Sequence, residues 1–463
     1  MTDDVRKRSA KIEAIAECWP MITALLGGTS AMRQAGKTYL PQWPNEDDRV
    51  YESRLKTATL FPAFSRTVEV LSGKPFSRPI TPGKDVPPEI LAMFDDIDLQ
   101  GTNLHSFTAN VFEEGIGFGL GGILVDYPVA QDVKTLAEEK ELGIRPYFVR
   151  IDADNLLDYK SKRINGRETL THLRFLEHVS DPNPTSEFSD KVIEQVRVLD
   201  IGMWRIFQQR EQPVGGEKKW VEVDRGVLNI DKIPFVPIYG NKLGFMLSSP
   251  PLSELAFMNV EHWQSKSDQQ TILHVARVPI LFGRMLGDAP ITVGASNAIL
   301  SNDEKADLKY VEHSGLAIAA GRTDLQDLKD AMLQIGAELL VVKPGRTTVA
   351  QTMAEDESGT CALQRMVGDL QDSVNQAIQY LADWVKIKQG GHISIFRDFG
   401  AATLAEASAD LLQEMNISGS LSDETFFREV QRRGLISSEV KWEDEKERIA
   451  KQPPKPGATQ LSA

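Results

Sequence analysis

The segment that begins at Ala31 and ends at Thr38 reads AMRQAGKT, a match to the phosphate-binding loop of nucleotide-dependent enzymes with Ala in place of the first Gly. Such a loop follows a strand and opens a helix whose N-terminal amides hold the phosphates. Here helical patterns precede the match, and residues 39–44 (YLPQWP), with two prolines, do not continue as a helix. We interpret the match as chance and keep a nucleotide-binding enzyme built on residues 31–38 as an alternative.

Residues 117–122 read GFGLGG and fit the GxGxxG pattern of dinucleotide-binding sites. Those sites need a strand before the glycines and a helix after them. In this chain a helical pattern (residues 106–114) precedes the glycines and a strand pattern (residues 123–127) follows. The order is inverted, so we predict a glycine turn at which a helix packs closely against a strand.

The seven histidines show none of the spacings that bind zinc, because the chain has no HExxH sequence and no cysteines paired with histidines. There is no GxSxG sequence, and the residues around Cys361 lack the local signature of a catalytic nucleophile. The sequence therefore predicts no catalytic residue, no metal site and no cofactor, and a protein that is not an enzyme.

Composition sets the broad class. With 463 residues, 41% hydrophobic and 25% charged, the chain is expected to be globular, with two or three domains. The chain has no run of about eighteen apolar residues, the length that is needed to span a bilayer. The charged N-terminus lacks the apolar core of a signal peptide. The two distant cysteines, Cys18 and Cys361, indicate a reducing compartment. A formal net charge of −14 disfavours a protein that coats DNA, because binding phosphates needs clustered Lys and Arg.

Helical and strand patterns divide the chain into four regions. Residues 1–130 are mainly helical, with Pro-rich connectors at 39–45 and 74–88. Residues 145–240 are rich in β-branched and aromatic residues, which predicts strands at 145–151, 170–177, 192–209, 219–223 and 233–239. Residues 252–388 return to long helices around a mixed insertion. Residues 391–450 contain a short strand (392–396) and two or three helices.

Residues 323–388 predict a helix, a long polar loop and a second helix. The apolar positions of the first helix recur at steps of three and four, the stripe of an amphipathic helix: Leu325, Leu328, Met332, Ile335 and Leu339. A neighbouring stripe contains the acids Asp324, Asp327 and Glu338. Pro344 and Gly345 end the helix, and a loop as long as the one that follows is usually functional or disordered.

Two segments resemble the N-terminal region of tailed-bacteriophage portal proteins: residues 51–56 (YESRLK) and 64–76 (FSRTVEVLSGKPF). The order of parts after them is also similar to that family, as is the ending at residues 401–436, with ISG at 417–419, Ser422 and the pair Gly434–Leu435. The resemblance covers about residues 20–436, and the succession of parts is its stronger component.

The resemblance implies an α+β portal fold that forms a ring, usually of twelve subunits. Its parts are a wing (1–250, with a helical N-terminal part and a strand-rich part at 145–240), a first stem helix (251–277), a clip (278–322), a second stem helix (323–340), a tunnel loop (341–358), a long helix (359–390), a C-terminal wing with a small crown (391–450) and a disordered tail (451–463). Within the clip, residues 278–282 and 316–320 look like strands that would pair with neighbouring subunits.

The resemblance also implies a function: a ring at one capsid vertex, assembled in the host cytoplasm, through which double-stranded DNA is packaged and ejected. The implied partners are the terminase large subunit, neck or adaptor proteins, the major capsid protein, a scaffolding protein and the passing double-stranded DNA. The DNA would be contacted without sequence specificity, and no membrane is an implied partner. The alternative in the same class is another structural virion component, such as a minor head or connector protein.

The charge then gains a physical role, because an acidic channel repels phosphate and lets DNA slide. Asp324, Asp327 and Glu338 are the predicted channel-lining acids. An ordinary solvated helix face accounts for this acidic flank equally well. The predicted DNA-contacting residues all lie in the tunnel loop: Lys343, Arg346, Thr347, Thr348 and Gln351.

Overall fold

A computed structural model describes residues 5–128, 143–180, 192–211, 218–277, 280–284, 305–311, 316–338, 340, 361–397, 413–432, 436 and 440–451. Over these residues the protein is a mixed α and β structure with several sheets. The tunnel loop (341–358), most of the clip and the C-terminal tail from residue 452 lie outside the described residues.

The N-terminal part is helical, as predicted. Its helices are α1 (Ala10–Ile15), α2 (Trp19–Leu26), α3 (Gly28–Ala35), α4 (Asp48–Thr57), α5 (Ala63–Gly73), α6 (Pro88–Leu91) and α7 (Leu104–Phe118). Short 3-10 turns occupy Ala16–Cys18, Gly36–Thr38 and Lys74–Phe76, and a two-residue strand, β1, lies at Thr81–Pro82. Two of the helices begin with side-chain caps, since Asp47 accepts from the amide of Arg49 and Asn103 accepts from the amide of Ser106.

Two antiparallel sheets follow. The first has the strand order β3-β2-β9 and consists of β2 (Leu120–Asp126), β3 (Tyr147–Ile151) and β9 (Phe235–Tyr239). The second has five strands in sequence order: β4 (Leu156–Ile164), β5 (Arg167–Ser180), β6 (Val192–Asp200), β7 (Met203–Glu211) and β8 (Lys218–Val227). A small hairpin, β10 (Asn241–Gly244) with β11 (Leu247–Ser249), leads into the long helices.

In this region one predicted strand needed correction, and one strand of the structure was not predicted. The single strand predicted at residues 192–209 is a hairpin, because Ile201 and Gly202 form a two-residue turn in which Gly202 has φ of 77°. The strand β4 was not predicted, since its exposed half contains Lys160, Lys162 and Arg163, which are unlike the apolar pattern of a core strand.

The remaining elements are α8 (Ser253–Ala276), β12 (Ile280–Arg284), β13 (Asp307–Val311), α9 (Leu316–Glu338), α10 (Ala362–Trp384), β14 (Ile393–Ser394), α11 (Asp423–Arg432) and α12 (Trp442–Ala450). The prediction of a strand at residues 316–320 is wrong: these residues form the first turns of α9, and three of the five are alanine, the best helix former. The other predicted clip strand, β12, pairs with β13 of the same chain.

One continuous core joins the N-terminal helices, the three-stranded sheet and the long helices. Trp19, Phe64 and Trp263 are fully buried there, and the indole of Trp19 donates to the carbonyl of Phe118 (3.0 Å). Helix α10 packs across the sheet, where Trp384 donates to the carbonyl of Val125 (3.1 Å). A second, smaller core lies on one face of the five-stranded sheet and consists of Leu157, Leu176, Val196, Val198 and Trp220.

The glycine segment at 117–122 forms the predicted turn between helix and strand. Gly119, at φ of 84°, ends α7, and a Cβ at this position would lie 2.5 Å from the backbone of Ser249 and Pro250. Gly122 lies under the ring of Phe235 in the neighbouring strand, where a Cβ would be 2.1 Å from the ring. These glycines allow close packing of backbone, and the helix-before-strand order is the reverse of a dinucleotide site.

Candidate functional site

The two segments that the resemblance assigns to stem helices, 251–277 and 323–340, form an antiparallel pair of long helices, α8 and α9. Strand β12 follows α8, strand β13 precedes α9, and the two strands pair as a hairpin. Near the hairpin end, the side-chain amide of Gln269 donates to the carbonyl of Ile318 (2.9 Å). Further along, His262 on α8 lies near Asp324 and Lys329 on α9. Because α8 runs toward the hairpin while α9 runs away from it, these contacts define the pairing along both helices.

Helix α8 is tied to the body of the protein by polar side chains. The Asn259 amide accepts from the backbone N–H of Phe64 (2.9 Å) and donates to the carbonyl of Phe61 (2.8 Å). Gln264 donates to the carbonyl of Tyr39 (3.0 Å), and Lys266 donates to the carbonyl of Thr59 (3.0 Å). These bonds join α8 to the loops around α4 and α5, whose segments carried the family resemblance.

A buried ion pair holds the connector at residues 39–47 against α4. The guanidinium of Arg54 donates to both carboxylate oxygens of Glu46 (2.9 and 2.8 Å) and to the carbonyl of Pro41 (2.8 Å). The side chains are only 3% and 2% exposed, and the indole of Trp43 covers the guanidinium at 4.2 Å. The bonds from Arg54 hold the pKa of Glu46 below its usual range. Arg54 also lies 3.6 Å from Asp268 on α8. Burial raises the pKa of the Asp268 carboxyl group.

The lysines of the helix pair are folded back against the protein. Lys266 bonds to a loop carbonyl, and the Lys329 ammonium lies 5.4 Å from the centre of the Phe61 ring. Between them His262 is fully buried, 5.3 Å from the same ring. Burial, with the two lysines adding to it, lowers the pKa of His262 to about 4, so this side chain is neutral at pH 7.

The acids of α9 point the other way. Asp324, Asp327 and Asp330 are exposed, and among the described residues none of them forms an ion pair. On α8, Glu254 and Glu261 are exposed as well, and Arg322 is an exposed cation near the start of α9. The inner face of α9 carries Met332, which is buried, with Leu325, Leu328 and Ile335 partly buried. The outer face of the pair is therefore predominantly acidic.

The end of the pair nearer the hairpin projects from the body. Among described residues, no side chain after Gln269 on α8 or before Met332 on α9 is buried. The 24 residues of α8 span roughly 36 Å at 1.5 Å per residue. The last seven residues of α8 (270–276), roughly 10 Å of that length, therefore stand away from the core.

The predicted site residues are placed as follows. Asp324 and Asp327 lie on the exposed face of α9, and their role in lining a channel stays a prediction. Glu338 is the last residue of α9 and its side chain lies outside the description. The predicted DNA-contacting residues also lie outside the described residues: Lys343, Arg346, Thr347, Thr348 and Gln351.

The rejected motifs are built into regular structure. Residues 31–35 lie within α3 and follow α2, and among residues 5–30 there is no strand. Within the part of the chain that is described, no group of three His, Cys, Asp or Glu side chains could hold a metal ion. His172 lies 2.7 Å from Asp200 across strands β5 and β6, where it takes part in a cross-strand network. No helix of the described residues is long and apolar enough to cross a bilayer.

Sequence reasoning missed two features of this site: the contact of Gln269 with α9 and the ion pair of Arg54 with Glu46. Gly321 gave no signal for the first, because it lay in the predicted clip (278–322), outside the helix predicted over residues 323–340. The spacing of Glu46 and Arg54 did not predict their ion pair, since the connector that contains Glu46 has no regular period.

Comparison with known proteins gives a partial match in sequence and a distant likeness in fold. A family described as a domain of unknown function (DUF4055) matches residues 251–385, which begin just before α8 and end just after α10. No curated protein matches the chain. The matched segment is less than half of the chain.

Three solved structures are similar in fold at 12–13% sequence identity. A chain from the neck of an empty gene transfer agent (GTA) particle, computed with C6 symmetry, matches 81% of this chain and 90% of its own, with a TM-score of 0.42. A chain from the virion of a native GTA particle matches 84% and 96%, with a TM-score of 0.41. A chain from the neck of a native GTA particle, computed with C12 symmetry, matches 88% and 98%, with a TM-score of 0.40. Likeness at this level does not fix a function for the present chain.

Proposed function

We propose that this protein is a portal protein: a ring-forming virion component at one capsid vertex, through which double-stranded DNA is packaged and ejected. The observation that carries the proposal is the projecting helix pair α8–α9, with its lysines folded inward and its acids outward. A ring of such pairs would present carboxylates to a central channel.

The electrostatics suit passage of DNA. DNA binds proteins by exchanging counterions for Lys and Arg, so a surface whose exposed charges are mainly acidic gives phosphates little to hold. The formal charge of −14 per chain adds long-range repulsion. Lys343 and Arg346 at the start of the proposed tunnel loop would supply transient contacts, followed by Thr347, Thr348 and Gln351.

In this proposal the wing and the C-terminal parts face the capsid, and the segment around β12 and β13 at the far end of the helix pair docks the terminase and later the neck proteins. The protein has no catalytic role. The alternative is another structural virion component, such as a minor head or connector protein, which would assemble without an open channel.

Electron microscopy of the purified full-length chain tests the proposal. We expect closed rings with a central hole and a mass by native mass spectrometry that corresponds to twelve subunits. A ring of thirteen would still agree, because the channel would remain. A monomer at high concentration, with no rings in the micrographs, would contradict it. Tight binding of a nucleotide that is lost on replacing Lys37 would favour the enzyme alternative instead.

A further inference from the structure

A surface groove of about 350 Å³ lies between α5 and the C-terminal half of α9. Its lining is mainly apolar and includes Val70 and Leu71 on α5 and Met332, Leu333 and Ala337 on α9. Val70 is 59% exposed and Leu333 is 68% exposed. Large apolar side chains exposed next to one another on a soluble protein mark an interaction surface.

A matching projection lies on the other flank of the helix pair. Phe257 on α8 is 53% exposed. It is two residues from Asn259, which faces α5, and so lies about 200° round the helix from that contact. The phenyl ring therefore points away from α5 and from the groove of its own chain.

Phe257 and the groove lie at the same level along the helix pair. Gln269 and Gly321 mark one level, since a Cβ on Gly321 would be 2.1 Å from the Gln269 amide oxygen. Phe257 precedes Gln269 by 12 residues (269 − 257) and Leu333 follows Gly321 by 12 residues (333 − 321). In antiparallel helices both are therefore about 18 Å from that level, in the same direction.

The one charged side chain among the residues that line the groove is opposite in sign to the acids beside Phe257. Glu254 and Glu261, both exposed, flank Phe257 at one helical turn on either side. Arg66, also exposed, stands in the wall of the groove. A phenyl ring with two neighbouring carboxylates is thus complementary to an apolar groove with a guanidinium beside it.

We propose that Phe257 of one copy of this chain inserts into the α5–α9 groove of the next copy, with Glu254 and Glu261 beside that copy's Arg66. Because the two surfaces differ, the contact is heterologous, and it closes into a ring only if the repeat is a rotation. The equal levels of Phe257 and Leu333 remove any shift along the helices, as rotation about an axis parallel to α8 and α9 requires. The inference rests on the ring proposed above and names the residues that close it.

Substitutions that place a charge in the contact test it on the full-length chain. Phe257→Asp and Leu333→Asp should each raise the concentration at which half of the chain is assembled by about tenfold or more, the factor expected from losing one buried apolar side chain per interface. Leu243→Asp, at an exposed apolar position on β10, is the matched control and should assemble as the unmodified chain does.

Charge exchange gives a second, independent readout. Arg66→Glu should weaken assembly, and adding Glu254→Arg with Glu261→Arg in the same chain should restore it. Rings that form normally in the Phe257 and Leu333 variants would overturn this inference and leave the proposed function standing. A wild-type chain that is monomeric at every concentration would overturn both.

Cross-linking covers the case in which a variant fails to assemble because it fails to fold. A chain with Phe257→Cys and Val70→Cys, in a Cys18→Ser background, should form a ladder of disulfide-linked multimers on mild oxidation. The other cysteine, Cys361, is buried. Each single cysteine variant should remain unlinked or stop at dimers. A double variant that folds, assembles and forms no ladder would overturn the inference.

Discussion

Gly321 on α9 lies directly against the side-chain amide of Gln269 on α8, so close that a Cβ on the glycine would sit 2.1 Å from the amide oxygen. The same amide donates to the carbonyl of Ile318, one turn earlier on α9. The missing side chain and the hydrogen bond act together, because the bond forms only if the two backbones approach this closely. This contact fixes how the projecting parts of the two helices pair.

We predict that Gly321→Leu separates the helices near the hairpin. The larger side chain must displace the Gln269 amide, which leaves a buried polar group without its partner and costs about 1–3 kcal/mol. Hydrogen exchange measured by mass spectrometry should rise in the hairpin-side halves of α8 and α9 and stay constant in α10. Ala319→Leu, at an exposed position two residues away, places the same side chain in the same helix and should leave exchange unchanged.

A second prediction concerns the acids of α9. Replacing Asp324, Asp327 and Asp330 by Lys should raise affinity for double-stranded DNA by at least about tenfold at low salt, with a steep loss as salt increases. Fluorescence anisotropy with a labelled duplex measures both effects. A control chain in which Glu13, Glu443 and Asp444 become Lys has the same net charge with the added cations elsewhere. Equal DNA affinity in the two variants would mean that the position of the α9 acids has no special effect.

The tunnel-loop residues provide a third prediction, argued from charge alone. Replacing Lys343 and Arg346 by Glu removes the cations at the start of the proposed tunnel loop and should reduce the DNA retained in packaged particles. Ring assembly should remain intact. If rings fail to form, the two side chains stabilise a subunit interface, and their assignment to DNA is wrong.

The fourth prediction is a loss of stability on breaking the buried ion pair. Arg54→Met leaves the Glu46 carboxylate without its counter-charge in a site that is 2% exposed, which should cost about 3–5 kcal/mol in the free energy of unfolding. Urea denaturation measures the change. Adding Glu46→Leu should recover much of it, because the uncompensated charge is then gone. Arg49→Met, at an exposed position on the same helix, should change stability little.

The fifth prediction follows from Glu114, whose carboxylate accepts from the backbone N–H of Ala153 (2.8 Å). Burial, with the nearby Asp152 adding to it, raises the pKa of Glu114 to about 7. A folded-state pKa above the unfolded value contributes stability that is present below pH 4.5 and is lost as pH rises through 7. Glu114→Gln keeps the acceptor and removes the charge, so it should stabilise the protein at pH 8 and have little effect near pH 4.

The adjacent residue supplies the control for that experiment. Glu113 is exposed on the same turn of α7. Glu113→Gln should leave the dependence of the melting temperature on pH unchanged. A Glu114→Gln variant with the same pH profile as the unmodified chain would show that the carboxyl group is not held neutral by its surroundings.

Periodic sequence patterns predicted the long elements well. The apolar stripe at Leu325, Leu328 and Met332 lies on the inner face of α9, and the long helix predicted over residues 359–390 is α10, at Ala362–Trp384. Errors arose where a few small residues change the local structure. Gly202 divides one predicted strand into two, and the alanines after Leu316 belong to a helix where a strand was predicted.

Contacts between distant segments could not be predicted in the same way. Asn259 meets Phe61 and Phe64, and Phe257 and Leu333 share a level only because Gln269 fixes the pairing of the helices. Such relations depend on which helix faces which, and a local period carries no information about that. The sequence therefore predicted the helix α9, but not the contacts that hold it in place.

The hydrogen bonds from α8 to the body, at Asn259, Gln264 and Lys266, are confined to about two turns of the helix, and no described side chain after Gln269 on α8 is buried. Mechanically this is a cantilever, clamped at one end and loaded at the other. A push on the hairpin becomes a bending moment at the clamp, where α8 meets the loop of Thr59 and Phe61 and the connector at Tyr39. Any protein that grips the hairpin would therefore deliver its force to the N-terminal helices.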